Sequence, residues 1–183
     1  MSELAAVPLH PVPVLETERL RLRGYYLADF DAHLAMCQEP DFYRYLSPGP
    51  MPPEDVWAKF LRTIGHWTLL GYGFWAVEEK ASGRYVGSIG FADFKRGLDA
   101  RMDGVPEIGW VLAPAAHGKG YASEAVRAAL AWGDAHFGGA RTVCIIDPDN
   151  QASLGVAAKF GYYEFARSTY KDNPIVLLER PAR

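Results

Sequence analysis

Between positions 107 and 137 the chain makes a transition that limits the folds open to it. Glu107-Ile-Gly-Trp-Val-Leu112 is a short, mostly apolar run, followed by Ala113-Pro-Ala-Ala-His117 and then by Gly118-Lys119-Gly120. Beyond the glycines, Ala122, Ala125, Val126, Ala129, Leu130, Gly133 and Phe137 recur at spacings of three and four. The first run has the length of a strand, and the second has the period of a helix with one buried face. Glycine allows a tight turn and a close approach of backbone to a ligand. The unpaired N–H groups of the helix's first turn, with the positive end of the dipole behind them, form a place where anions bind. Lys119 adds a charge there. A glycine turn also serves purely steric ends, and both readings stand at this point.

Weaker patterns complete the order. Leu20 and Leu22 alternate with Arg19, Arg21 and Arg23 as a half-exposed strand, and 28–38 reads as a helix with acids near its start. The prolines from Pro40 to Pro53 interrupt regular structure, after which Val56, Trp57, Phe60, Leu61 and Ile64 form one helical stripe from Glu54. Strands are expected at 74–77 and 85–94, around a turn at Ala81-Ser82-Gly83. Thr142–Ile146 is a continuous apolar run suited to a strand covered on both faces. A helix over 151–160 and strands at 162–169 and 174–179 close the chain. The sum is α/β, a mixed central sheet of about six to seven strands with flanking helices, in one domain over 14–183 behind a flexible, proline-rich lead-in at 1–13.

Composition narrows the function classes. A chain of 183 residues, 49% hydrophobic and 22% charged, can bury a core without staples. Its net charge of −3 lacks the basic excess of a nucleic-acid binder. The two cysteines, Cys37 and Cys144, make no ligand spacing, so no metal is expected, and they fit a reducing compartment. Apolar stretches are too short and too interrupted by glycine for a span of about 20 residues, so a cytoplasmic protein with no membrane partner is expected.

Three anion-site motifs can be laid against the glycine turn. A P-loop fails, because position 113 is alanine and Gly120 follows Lys119 where Ser or Thr is needed. A dinucleotide fingerprint lacks its third glycine, since position 123 is Ser123. The strand followed by His117-Gly118-Lys119-Gly120-Tyr121-Ala122 resembles the acetyl-CoA motif of the GNAT N-acetyltransferases, Gln/Arg-x-x-Gly-x-Gly/Ala, with His117 in the usual place of Gln or Arg. Leu15-Glu-Thr-Glu-Arg-Leu-Arg-Leu-Arg23, Asn150-Gln-Ala-Ser153 and Lys159-Phe-Gly-Tyr162 further resemble the RimJ/RimL branch of ribosomal-protein N-acetyltransferases.

The resemblance implies a GNAT fold whose two central parallel strands splay to admit the pantetheine arm of acetyl-CoA. Backbone of Trp110, Val111 and Leu112 would bind that arm, with an oxyanion donor near Val111 or Leu112. His117, Gly118, Lys119, Gly120, Tyr121, Ala122 and Ser123 would surround the pyrophosphate. Asn150 either caps its helix or, with Ser153, contacts the pantetheine. Many GNAT enzymes place a tyrosine acid seven residues after that Asn, where this chain has Ala157. Glu107 is the expected base, directly or through water, with Asp147 second; a surface carboxylate and a turn former are the plainer readings of the two.

The expected activity is transfer of acetyl from acetyl-CoA to a primary amine, on a protein N-terminus or a small molecule. The net charge leans toward a cationic acceptor, as steering only. A CoA-binding sensor without turnover is the alternative, and a dinucleotide-dependent oxidoreductase a more distant one. Exposed strand edges near the C-terminus make a homodimer plausible.

Overall fold

The computed structural model describes residues 10–47 and 49–183. Its strands are β1 (Leu15–Glu16), β2 (Leu20–Arg23), β3 (Phe74–Glu79), β4 (Arg84–Ala92), β5 (Glu107–Leu112), β6 (Thr142–Ile146), β7 (Tyr163–Tyr170) and β8 (Asn173–Arg180). The helices are α1 (Phe30–Cys37), α2 (Pro40–Tyr43), α3 (Pro53–Leu70), α4 (Tyr121–His136) and α5 (Gln151–Lys159). One sheet runs β1-β2-β3-β4-β5-β6-β8-β7, antiparallel throughout except between β5 and β6.

Among the described residues eight strands stand where six or seven were expected. The additional one, β1, spans two residues, too short for any alternation to reveal. The α2 turn falls where the prolines are expected to interrupt regular structure, yet Pro40 occupies its first position, where the missing N–H costs nothing. Arg23, expected on the exposed face of β2, is buried. Its guanidinium donates to both Asp29 oxygens at 2.7 and 2.9 Å and to Glu78 at 2.7 Å, which is what makes the burial tolerable. On α3 only Val56, Phe60 and Trp67 are buried. Trp57, Leu61 and Ile64, expected on the same stripe, are exposed.

Of the lead-in expected at 1–13, residues 1–9 lie outside the described residues. Residues 10–13 form no strand or helix but lie against the domain, where the Trp75 indole donates to the Pro13 carbonyl at 2.8 Å and Val12 packs on the main core.

That core lies between the sheet and α4, where Leu22, Trp75, Ile89, Phe91 and Ile108 meet Ala125, Val126, Ala129 and Leu130. A smaller cluster of Met36, Cys37, Phe42 and Val56 packs with Tyr85 and Val111 under α1 and α3. The β5 strand therefore has one neighbourhood with α4 and another with α1 and α3.

Candidate active site

The β5 and β6 strands are registered at one pair, Glu107 with Val143, and Val143 N–H donates to the Pro106 carbonyl at 3.1 Å. Beyond that pair the two strands part. On its other side β5 stays paired to β4 along its whole length, from Ala92–Glu107 to Gly87–Leu112. The backbone of Trp110, Val111 and Leu112 is thus held by β4 on one side and faces the gap on the other. Trp110 and Val111 are half-buried and Leu112 is buried.

Above the C-terminal end of β5 the chain turns through Gly118 and Gly120, both at positive φ (73° and 77°). Side chains are strained in that region, which is why glycine stands there. A Cβ built on Gly118 would meet nothing within 4 Å, so the turn is open to a ligand. Gly120 is the N-cap of α4, and the first bond into the helix runs from Glu124 N–H to the Gly120 carbonyl at 3.1 Å. The N–H groups of Tyr121, Ala122 and Ser123 accordingly have no acceptor inside the helix.

The turn is braced by the residue just before β2 and by the last residue of β3. Arg19 donates to the Lys119 carbonyl at 2.8 Å and pairs with Glu124, and its guanidinium lies 4.8 Å from the centre of the Tyr121 ring. The Tyr121 hydroxyl donates to Glu79 at 2.7 Å, and the Lys119 ammonium lies 3.9 Å from the same carboxylate. Sequence reasoning missed Arg19 and Glu79, since nothing in an alternating Arg-Leu strand marks one arginine as a brace for a turn a hundred residues away. His117 was expected to face the pyrophosphate. Its Nε2 lies 2.9 Å from the Leu112 carbonyl, so the ring ties the end of β5 to the turn.

Asn150 is the N-cap of α5, its Oδ1 accepting from Ser153 N–H at 3.0 Å. Asp147 stands at the end of β6, where its Oδ1 accepts from Asp149 N–H at 2.8 Å and shapes the turn. Glu107 is buried, and Arg96 donates to both of its oxygens at 2.9 to 3.2 Å. Burial pushes its carboxyl above the usual range while Arg96 pulls it down. Ala157 is fully buried in the main core. Among the described residues no group of three or more His, Cys, Asp or Glu could hold a metal ion, and no helix is long and apolar enough to cross a membrane.

On the α1 and α3 side of the sheet, Ser88 stands opposite Val111. Its hydroxyl bonds the Tyr85 and Tyr25 hydroxyls, and Tyr85 meets His33 Nδ1 at 2.8 Å. Burial raises both tyrosines, raises Cys37 to about 11 and lowers His33 to about 4, so this network is neutral at pH 7.

A sheet parting at its one parallel pair, with an open helix N-terminus beside the parting, is the architecture of an acyltransferase of the GNAT type. Residues 19–163 match the acetyltransferase (GNAT) domain family, and the chain belongs to that family. It is 36% identical over 115 residues to the uncharacterized Bacillus subtilis (strain 168) protein YkkB, a match covering 60% of this chain and 63% of that one, under two thirds of YkkB's length. It is 25% identical over 178 residues to the uncharacterized N-acetyltransferase YoaA of the same strain, covering 92% and 98% of the two chains. A Bordetella pertussis structure assigned to the GnaT-family acetyltransferases superposes with a TM-score of 0.81 at 30% identity, over 92% of this chain and 99% of that one.

Proposed function

We propose that the protein transfers the acetyl group of acetyl-CoA to a primary amine by direct attack of the amine on the thioester. The observation that carries this is the parting of β5 from β6 after Glu107–Val143, beside the acceptor-free N–H groups that open α4. When bound, acetyl-CoA supplies an acetyl thioester as the electrophile. The N–H groups of Gly118 to Ser123 would hold its pyrophosphate, and backbone of Trp110 to Leu112 its pantetheine arm, with an N–H near Val111 or Leu112 stabilising the oxyanion. Asn150 and Ser153 would border the arm from the far side of the gap. Asn150 keeps its side-chain N–H₂ for such a contact while its oxygen caps α5.

Glu107 is the proposed base. A carboxylate has about four lone-pair sites, so the Arg96 bonds leave room for a water that relays the amine's proton. Glu107→Gln should lower turnover by about 100-fold or more with little change in acetyl-CoA affinity. Unchanged turnover would exclude the role and leave Asp147 as the next carboxylate to test. The motifs at 15–23, 150–153 and 159–162 support the RimJ/RimL-like branch. Two buried free thiols suit a reducing, cytoplasmic setting. The β7 strand, at the sheet's edge, is the place to look for a homodimer.

Titration calorimetry with acetyl-CoA, CoA and NADH tests the reading. Binding of both CoA species and not NADH is expected, followed by thiol release with an amine. No CoA binding would overturn it. A second reading, CoA binding without turnover, draws on Ala157, which puts a buried methyl where the GNAT resemblance would call for a tyrosine acid. CoA binding with no thiol release across an amine panel would favour it.

A further inference from the structure

Four cations from three separate elements converge beside the α1 and α3 side of β5. The contacts lead there stepwise. A Cβ on Gly109 would lie 3.0 Å from the Phe74 ring, which is 6.2 Å from the Phe94 ring. The Arg62 guanidinium, from α3, lies 5.1 Å from the centre of the Phe94 ring, and that of Arg96 4.2 Å from it. Arg96 also lies 4.6 Å from the Tyr170 ring, at the end of β7, and Lys171 follows in the β7–β8 turn. Lys59 stands one turn before Arg62 on α3, with its ammonium on the Met51 thioether.

The four are not alike in charge balance. Arg96 spends its charge on Glu107. Among the described residues, Lys59, Arg62 and Lys171 have no carboxylate within 4.0 Å, in a chain whose net charge is −3. Burial, and then neighbouring cations, depress both α3 groups: Lys171 and Arg62 act on Lys59, and Arg96 acts on Arg62. Isolated surface lysines repel nothing. Here Arg62 and Lys171 stand over the Phe94 and Tyr170 rings that Arg96 bridges, with Lys59 one turn from Arg62 and no carboxylate at hand, an arrangement that an anion would neutralise.

We propose that the acceptor is a small amine carrying a carboxylate or phosphate group, seated against Arg62, Lys59 and Lys171 while its amine reaches the gap beside β5. The proposal rests on the acetyl-transfer reading and names the substrate class for it. It reverses the lean toward a cationic acceptor that net charge gives, because the field that selects a substrate is local.

The test uses CoA S-acetamide conjugates whose amide nitrogen carries –CH₂CH₂–COO⁻, –CH₂CH₂–CONH₂, –CH₂CH₂–NH₃⁺ or –CH₂CH₂–OPO₃²⁻, titrated calorimetrically at fixed salt alongside CoA. The carboxylate or phosphate conjugate should bind about tenfold or more tighter than the carboxamide isostere, as expected for a charge-assisted contact, and which of the two does so identifies the anion. In the Arg62→Gln, Lys59→Gln double variant that advantage should fall below about threefold, with CoA itself bound as before. A carboxamide or ammonium conjugate binding as tightly as the anionic ones, or an advantage that survives the substitutions, would overturn the proposal. Loss of CoA binding by the wild-type protein would instead remove the acetyl-transfer reading beneath it.

Discussion

At the scale of single residues, chemistry is decided by what each side chain is asked to neutralise. His33 is buried on the inner face of α1 with its Nδ1 on Tyr85 and is lowered from 6.5 to about 4, chiefly by burial. Because the unfolded chain holds the proton more tightly than the folded one, the stability this neutral ring permits is present above about pH 6.5 and is lost as pH falls toward 4. The full difference corresponds to about 3 kcal/mol. Chemical denaturation between pH 7.5 and 4.5 should show this loss, and His33→Phe should flatten the curve; an unchanged slope would place the sensitivity elsewhere. Gly120 is another residue-scale case. Gly120→Ala must place a side chain at φ 77°, costing about 1–2 kcal/mol locally. Calorimetry should find acetyl-CoA affinity lowered about tenfold as the α4 N–H groups shift.

Elements show why propensity alone misleads. Gly133 sits inside α4, where alanine would normally stabilise a helix by about 1 kcal/mol. A Cβ there would lie 2.6 Å from the Phe91 ring, so the helix could not keep its present distance from β4. Gly133→Ala should therefore destabilise by about 1–3 kcal/mol, as read in a urea midpoint; a raised midpoint would show that the Phe91 ring yields freely. The same spacing made α4 legible from sequence, since its apolar positions recur strictly. The buried face of α3 is narrower than its period implies, because exposed Trp57, Leu61 and Ile64 carry the same period as buried Val56 and Phe60. Periodicity reports which residues share a face and is silent on whether anything covers it.

For the whole molecule, ligand binding and stability are linked. If acetyl-CoA binds the folded chain alone, a concentration of 100 times Kd adds about 2.7 kcal/mol. Thermal denaturation should then rise by several degrees with acetyl-CoA or CoA, and not with NADH. No shift at saturating CoA would speak against the site between β5 and the start of α4.

The sequence by itself determined what depends on near neighbours along the chain: the Glu107–Leu112 and Thr142–Ile146 strands, the helix after Gly120, the glycine turn, and through them the fold family. Each is written in a local period or a positive-φ residue, so each survives without tertiary information. Only the tertiary structure decided what depends on distant partners. It set the single register pair that lets β5 part from β6, the Arg19 brace, the Arg96–Glu107 pairing and the convergence of Lys59, Arg62 and Lys171. Charges act through space, over distances that chain separation does not encode. A net charge of −3 therefore gave no sign that, among the described residues, Lys59, Arg62 and Lys171 stand without a carboxylate within 4.0 Å.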